Sequence, residues 1–202
     1  MVNKASLILN GEIDQDWLEK ALTGKPLVYC ADGAYDKVRN LSFNIEAVIG
    51  DFDSISDKSS VESQLIHMPD QDYTDFEKAL KFLKEIYEQI DIYGASGNEM
   101  DHFIGNLSVA KKYRDELFLK FIDPSQYYFF IEKETLLEDV KGKIISVIPF
   151  PKIEHITSEG LEYELQGQSL ELGSLISVRN HASKNQVRIK YESGCGIIFV
   201  SS

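Results

Sequence analysis

The chain has 202 residues, a hydrophobic fraction of 43% and a formal net charge of −12. This length fits one large domain or two small ones, and the apolar content is sufficient for a real core. The charge excludes nucleic acid as a partner, because no basic stripe could offset such a field. It suits a cationic ligand, or an anionic ligand that arrives with a metal ion.

Two cysteines, Cys30 and Cys195, lie far apart in the sequence and form neither a metal-binding spacing nor a disulfide framework. This usage fits a reducing compartment, and we expect a cytoplasmic protein. The apolar run near the N-terminus is too short for a signal peptide, and we expect no membrane-spanning segment.

The first part of the chain, residues 1–123, alternates short apolar runs with helical patterns. Strands are predicted at residues 5–9, 26–30, 47–49, 65–67, 90–93 and 117–122, and helices at 16–22, 33–39 and 75–89. This alternation predicts βαβ units and a mostly parallel sheet. Ligands of such sheets bind at the carboxyl ends of the strands. Asp32, Asp51 and the loop at Gly94 all follow predicted strands, so we expect them on one edge.

The segment VIGDFDSIS at residues 48–56 carries two carboxylates, Asp51 and Asp53, directly after a predicted strand. If the backbone stays extended, residues i and i+2 point to the same side. Two converging carboxylates repel each other unless a cation lies between them, and Mg²⁺ is the usual cation. The alternative is a polar turn after a strand.

The predicted helix at 75–89 has a strong start signal. Thr74 followed by Glu77 predicts a capping box. Asp70, Asp72 and Asp75 crowd this helix start beside Lys78, where free backbone N–H groups favour anions. The pattern indicates a phosphate or metal role, and the alternative is the ordinary preference of helix starts for acidic residues.

A glycine-bearing loop, with Gly94 and Gly97, connects the next predicted strand to a further helix start. Its spacing is neither a dinucleotide-binding fingerprint nor a P-loop. Asp101 is the stronger functional candidate here, and His102 is more typical of a partly buried structural residue.

The second part of the chain, residues 124–202, changes character. Short strands are predicted at residues 127–131, 143–148, 161–165, 169–172, 175–178, 187–191 and 196–200, with turns at glycines and at Pro149 and Pro151. This pattern predicts a small antiparallel sandwich or barrel. The predicted fold is therefore an N-terminal α/β domain with a mostly parallel sheet, followed by a small antiparallel β-sandwich domain.

Four motifs occur in the order and spacing of the thiamine pyrophosphokinase family: ADGA at 31–34, GDFDS at 50–54, DQDYTDFEKAL at 70–80 and GASGNEMDH at 94–102. GLEYEL at 160–165 and LISVRN at 175–180 resemble its thiamine-binding domain. The resemblance implies transfer of a pyrophosphoryl group from ATP to the hydroxyl of thiamine, with release of AMP. It also implies Mg²⁺ as cofactor and a homodimer whose active sites use both subunits.

The resemblance also implies roles for individual residues. It assigns Mg²⁺ to Asp51, Asp53 and Asp75, which with Asp101 form the catalytic set. It assigns ATP to Asp32, Thr74, Lys78 and Asp101. It assigns thiamine to Gln71, Tyr163, Ser177 and Asn180.

Two positions depart from the family pattern. Glu99 stands where the family usually has an arginine, and Arg179 stands where it usually has a serine before Asn180. A carboxylate at position 99 would repel phosphate, so we expect Glu99 to point into solvent.

Two other functions remain open. A metal-dependent phosphohydrolase would also use a D-x-D pair after a strand, acting on a nucleotide or a thiamine phosphate. A sensor that binds thiamine or nucleotide without turnover would fit the loss of the family arginine.

Overall fold

The computed structural model describes residues 3–25, 27–97 and 99–202. The chain divides into two compact units, Met1–Pro124 and Ser125–Ser202. The helices within the described ranges are all too short or too polar to cross a membrane.

The first unit contains a parallel sheet, and α-helices lie between most pairs of successive strands. Its strands lie side by side in the order β4-β3-β2-β1-β5-β6, and each neighbouring pair runs parallel. The strands are β1 (Lys4–Ile8), β2 (Val28–Ala31), β3 (Ile45–Gly50), β4 (Gln64–His67), β5 (Gln89–Tyr93) and β6 (Phe118–Asp123). The helices are α1 (Gln15–Leu22), α2 (Tyr35–Val38), α3 (Asp75–Leu83) and α4 (Met100–Tyr113).

The central strands are apolar on both faces, as expected for a parallel sheet covered by helices. Leu7, Val28, Ile49 and Ile90 are completely buried. This burial fixes the register of the strands and brings their carboxyl ends to one edge. The α/β prediction for the first part of the chain is confirmed.

Three predicted boundaries in this unit are corrected by the structure. The helix predicted at 75–89 ends at Leu83, where Ile86 and Tyr87 donate to the Leu83 carbonyl in a turn. Ile86 is 42% exposed, so its apolar spacing did not reflect a helix face. The helix predicted at 33–39 divides into a 3₁₀ turn at Asp32–Ala34 and the short helix α2. Residue 26, where the second strand was predicted to begin, lies outside the described residues. The observed strand β2 starts at Val28.

The second unit is antiparallel throughout, as predicted. Its strands are β7 (Gln126–Phe130), β8 (Glu134–Leu137), β9 (Ile144–Glu159), β10 (Gln166–Glu171), β11 (Ser177–His181), β12 (Val187–Lys190) and β13 (Ser193–Ser201). The long strand β9 pairs with β10, β11, β12 and β13 along its length. The core of the unit is built from apolar residues such as Val147, Ile156, Ile189 and Ile198.

Turns were predicted at Gly167 and Gly194, but these glycines lie inside β10 and β13, and further predictions for the second unit were also wrong. Strand β9 continues through Pro149 and Pro151, where turns were expected, and β8 was missed. The segment 161–165 is not a strand, although Leu161 and Leu165 are buried and Tyr163 between them is exposed. The segment forms a turn in which the Glu164 carboxylate accepts hydrogen bonds from Ser158 and the Gly160 amide.

Candidate active site

Two acidic residues meet where β2 and β3 end. Asp32 begins the 3₁₀ turn after β2, and Asp51 directly follows Gly50 at the end of β3. A Cβ atom at position 50 would lie 2.5 Å from the Cβ atom of Asp32. Glycine is therefore required at position 50, because any larger residue would push the two strand ends apart.

The third member of the cluster comes from the first turn of α3. Asp32, Asp51 and Asp75 each offer a carboxylate oxygen, and these three oxygens lie within 4.8 Å of one another. Asp32 is completely buried, and both of its carboxylate oxygens lack a hydrogen-bond partner within the described residues. Burial, together with the charge of Asp75, raises the pKa of Asp32 to about 6. A buried carboxylate without donors, beside two others, fits a divalent cation.

Lys78 supplies the positive charge of this cluster. Its ammonium nitrogen lies 2.5 Å from Asp51 Oδ2 and 3.3 Å from Asp75 Oδ1. Gln71 Nε2 also donates to Asp51 Oδ2, at 2.8 Å. The hydrogen bond from Lys78 holds the pKa of Asp51 well below its usual range, whereas burial raises the pKa of Asp75. Burial also opposes the charge of Lys78, but the bonds to Asp51 and Asp75 outweigh it and raise the pKa of that ammonium.

The start of α3 forms one of the two hydrogen bonds of the predicted capping box. Thr74 Oγ1 accepts a hydrogen bond from the Glu77 amide at 3.2 Å, as the sequence predicts. The Glu77 carboxylate does not close a capping box, because it accepts from Lys112 Nζ at 2.5 Å and from the Tyr113 hydroxyl at 3.2 Å. Glu77 therefore ties α3 to α4, and the capped N-terminus of α3 lies beside Asp75.

Asp53 lies outside the three carboxylates whose oxygens come within 4.8 Å of one another, although its charge contributes to raising the pKa of Asp75. The residue between the two aspartates, Phe52, has a φ of 64°, and its ring stacks on His67 with 5.6 Å between the ring centroids. The backbone is therefore not extended at Phe52, so the extended-strand premise from which the convergence of Asp51 and Asp53 was predicted does not hold. Asp53 Oδ1 accepts a hydrogen bond from Ser54 Oγ at 2.9 Å. The metal role of Asp53 stays a prediction, and Asp32 takes the third position in the cluster.

The start of α4 carries Asp101, which follows β5 as expected. Asp101 is exposed, lies outside the three-carboxylate cluster, and accepts a hydrogen bond from the His102 amide at 3.0 Å. The side chain of Glu99 is 72% exposed and lies 3.5 Å from His102 Nε2. The expectation that Glu99 points into solvent is confirmed.

The glycine loop between β5 and α4 is held by its carbonyl groups. Gly94 O accepts from the Gly11 amide at 2.7 Å, and Ser96 O accepts from the Glu12 amide at 2.9 Å. Between them, the carbonyl of residue 95 accepts from Asn106 Nδ2 at 3.0 Å. Three successive carbonyls are thus fixed by groups from the β1–α1 loop and from α4.

Two aspartates at this edge of the sheet make contacts that were not predicted from the sequence. Asp123, at the end of β6, accepts a hydrogen bond from Ser96 Oγ at 3.0 Å, and burial raises its pKa. Asp36 accepts from both the amide and the hydroxyl of Ser56, and so anchors the far end of the loop that carries Asp51. Asp123 follows a predicted strand, so the rule that singled out Asp32 and Asp51 would have found it. Asp36 has no comparable signal.

In the second unit, Asn180 is a structural clamp on the segment of Tyr163. Its Oδ1 accepts from the Tyr163 amide at 3.1 Å, and its Nδ2 donates to the Tyr163 carbonyl at 2.7 Å. Asn180 is 5% exposed, whereas Tyr163 is 69% exposed. The neighbouring Arg179 has a φ of 53° at an irregularity between Ser177 and Asn180 in the pairing of β11 with β9. The three predicted thiamine residues of this unit therefore lie on β11 and on the segment that Asn180 holds.

A parallel α/β unit that gathers carboxylates and a buried lysine at the carboxyl edge of its strands is typical of proteins that handle phosphates with a divalent cation. Two family models identify the family within this class. Residues 18–120 match "Thiamin pyrophosphokinase, catalytic domain", and residues 131–195 match "Thiamin pyrophosphokinase, vitamin B1 binding domain". The chain belongs to the thiamin pyrophosphokinase family, and the enzyme class predicted from its motifs is confirmed.

Individual relatives agree with this assignment. The chain is 27% identical to "Thiamin pyrophosphokinase 1" of Caenorhabditis elegans over 187 residues, which cover 80% of this chain and 74% of the relative. It is 27% identical to "Thiamine pyrophosphokinase" of Bacillus subtilis over 164 residues, covering 76% and 77% of the two chains.

Solved structures share the fold along nearly the whole chain. The crystal structure of thiamine pyrophosphokinase from Bacillus subtilis aligns with a TM-score of 0.83 at 23% identity, covering 98% of this chain and 99% of that one. Thiamin pyrophosphokinase from Candida albicans aligns with a TM-score of 0.85 at 18% identity, covering 99% and 89%.

Proposed function

We propose that this protein transfers a pyrophosphoryl group from ATP to the hydroxyl of thiamine and releases AMP. The observation that carries the proposal is the cluster of Asp32, Asp51 and Asp75, two of which bind Lys78, at the sheet edge where parallel α/β proteins bind ligands. Membership of the family supplies the substrates. Transfer to a hydroxyl needs positioning and charge neutralisation more than covalent catalysis, which suits a site made of carboxylates and one ammonium.

We propose Mg²⁺ as the metal of this site. Asp51 and Asp75 are its proposed ligands together with Asp53, and the buried, unpartnered carboxylate of Asp32 supports a further ligand at the same position. When bound, the ion would neutralise charge on the phosphate oxygens of ATP. The chain has few alternatives in its first unit, because Arg39 and Arg114 are the arginines of residues 1–123.

The remaining predicted residues bind and orient the nucleotide. Lys78 and the N-terminus of α3, which Thr74 caps, present positive charge and backbone N–H groups to the phosphates. Asp101, in the first turn of α4, belongs to the nucleotide surroundings. Gln71 holds Asp51 in place through its hydrogen bond and lies close to the reacting hydroxyl.

The thiamine residues of the second unit are Tyr163, Ser177 and Asn180. Thiamine has a permanent positive charge on its thiazolium ring, which suits both an exposed aromatic ring and an acidic protein. Asn180 contributes by fixing the backbone of Tyr163 rather than by offering its own amide, because both ends of that amide are already used.

We propose a homodimer. The segment that includes β11 exposes several apolar side chains, which supports an interface between copies of the chain: Leu172, Leu175, Ile176 and Val178. Sedimentation at the working concentration should give twice the chain mass, and an active monomer would contradict this part of the proposal. The buried Cys30 and Cys195, which form no disulfide within the described residues, support a cytoplasmic location.

A product assay tests the proposed function. The protein is incubated with ATP, Mg²⁺ and thiamine, and the products are resolved by chromatography. AMP and thiamine diphosphate should form in equal amounts, and EDTA should stop their formation. Inorganic phosphate without AMP would identify a phosphohydrolase, and binding of both substrates without any product would identify a sensor.

A further inference from the structure

Lys78 already lies where a cation is needed. Its side chain is 3% exposed, and its ammonium lies 2.5 Å from Asp51 Oδ2 and 3.3 Å from Asp75 Oδ1. An ammonium that is removed from water to this degree depends on such carboxylates for its stability. Two of the three carboxylates in the cluster are therefore partly neutralised by the protein itself.

The third carboxylate is not neutralised in this way. Asp32 is completely buried, and neither of its oxygens has a hydrogen-bond partner among the residues that the structure describes. Asp32, Asp51, Asp75 and Lys78 together carry two negative charges, and Asp53, whose charge acts on Asp75, adds a third, so the site retains enough negative charge for a divalent cation beside the ammonium. A cation bound there would share its ligands with the ammonium of Lys78, and two cations in one poorly solvated site repel each other.

We propose that Lys78 is an internal competitor of the metal. In the nucleotide-free protein it neutralises Asp51 and Asp75 and so keeps the affinity for a free divalent cation low. The phosphates of ATP offer the ammonium another partner, so that binding of the nucleotide raises the affinity for the metal, and binding of the metal raises the affinity for the nucleotide by the same factor. This inference rests on the metal site in the proposed function and adds a coupling between metal and nucleotide.

The test measures metal binding without turnover. The full chain is stripped with EDTA, and its affinity for Mn²⁺ is measured by electron paramagnetic resonance in the absence of nucleotide. Lys78→Met removes the charge and keeps most of the side-chain length, and it should bind Mn²⁺ roughly tenfold more tightly than the wild type. Lys78→Arg keeps the charge and should stay as weak as the wild type.

Lys112→Met is the matched control. Lys112 also lies 2.5 Å from a carboxylate oxygen, that of Glu77, but neither residue belongs to the cluster. This variant should leave the Mn²⁺ affinity unchanged. If Lys78→Met does not fold without metal, Lys78→Gln is compared in its place, since it also removes the charge. Unchanged or weaker Mn²⁺ binding by the neutral variant would overturn the inference.

A second titration separates this inference from the proposed function. With a non-hydrolysable ATP analogue present, the wild type should gain more Mn²⁺ affinity than Lys78→Met, and an equal gain would refute the coupling. The wild type is assayed separately for AMP formation with Mg²⁺. AMP formation together with unaltered metal binding in Lys78→Met would reject the competitor role alone, whereas absence of AMP formation would reject the proposed function.

Discussion

Replacing Asp32 with asparagine should stabilise the metal-free protein while it damages the metal site. Asp32 is completely buried, and within the described residues its carboxylate oxygens form no hydrogen bond of normal geometry, although the backbone N–H of Phe52 partly offsets the rise in its pKa. Burial, with the charge of Asp75, raises its pKa from 3.8 to about 6. Keeping this group ionised at neutral pH therefore costs roughly 2–3 kcal/mol of folding free energy. Asparagine has nearly the same shape and removes that cost.

The pH dependence follows from the direction of the pKa shift. An acid whose pKa is raised by folding destabilises the folded state when it is ionised. The penalty from Asp32 should be absent well below its unfolded pKa of 3.8, should grow as the pH rises towards 6, and should be fully present at pH 8. In EDTA, Asp32→Asn should unfold at a temperature several degrees above the wild type at pH 8, and the difference should shrink steadily as the pH falls towards 4.

Thermal unfolding in EDTA and in Mg²⁺ is the assay. Mg²⁺ should stabilise the wild type more than Asp32→Asn, because the variant loses a proposed ligand. Asp115→Asn is the control, since the Asp115 side chain is 87% exposed and its replacement should change little. A variant that is less stable than the wild type at pH 8 in EDTA would refute the reasoning, because Asp32 would then contribute to folding through a contact that its burial does not indicate.

Three further predictions concern individual residues. Asp53→Asn should lower turnover by orders of magnitude while the fold survives, and a near-normal kcat in a correctly folded variant would remove Asp53 from the metal set. Asn180→Ala should raise the KM for thiamine and lower the free energy of unfolding by about 1–3 kcal/mol, because two hydrogen bonds to Tyr163 are lost. Replacing the exposed Asn185 with alanine should do neither. Equal effects in both variants would argue against the clamp. Glu99→Arg should lower the KM for ATP about fivefold, or roughly 1 kcal/mol, and leave the KM for thiamine unchanged; loss of all activity would reveal a positive role for Glu99.

The sequence was sufficient for the framework of the first unit, because its strands are apolar runs and Asp32 and Asp51 directly follow two of them. It was insufficient for the geometry between Asp51 and Asp53. The φ of 64° falls on Phe52, and a phenylalanine gives no signal of a left-handed conformation. Only the structure therefore shows Asp32 beside Asp51 and Asp75, and the metal role of Asp53 stays a prediction.

In the second unit, the apolar–acidic alternation at 161–165 predicts a strand with Leu161, Tyr163 and Leu165 on one face, but the segment is a turn in which Leu161 and Leu165 are buried and Tyr163 is exposed. The bonds that decide this segment come from Asn180, which is 17 residues from Tyr163 in sequence, and from Glu164. Side-chain hydrogen bonds of this kind have no periodicity, so they cannot be predicted from a pattern. The same limit applies to Glu77, whose carboxylate is directed to Lys112 and not back to the start of its own helix.

The glycine loop has a consequence for how ligands are selected. Three successive carbonyls, from Gly94 to Ser96, are held by donors from the β1–α1 loop and from α4. A loop tied in this way has little freedom to swing as a flap, so its shape exists before any ligand arrives. The glycine loop should therefore select ligands by their fit to a preformed surface when they first bind. It should not select them by closing around a ligand that is already bound.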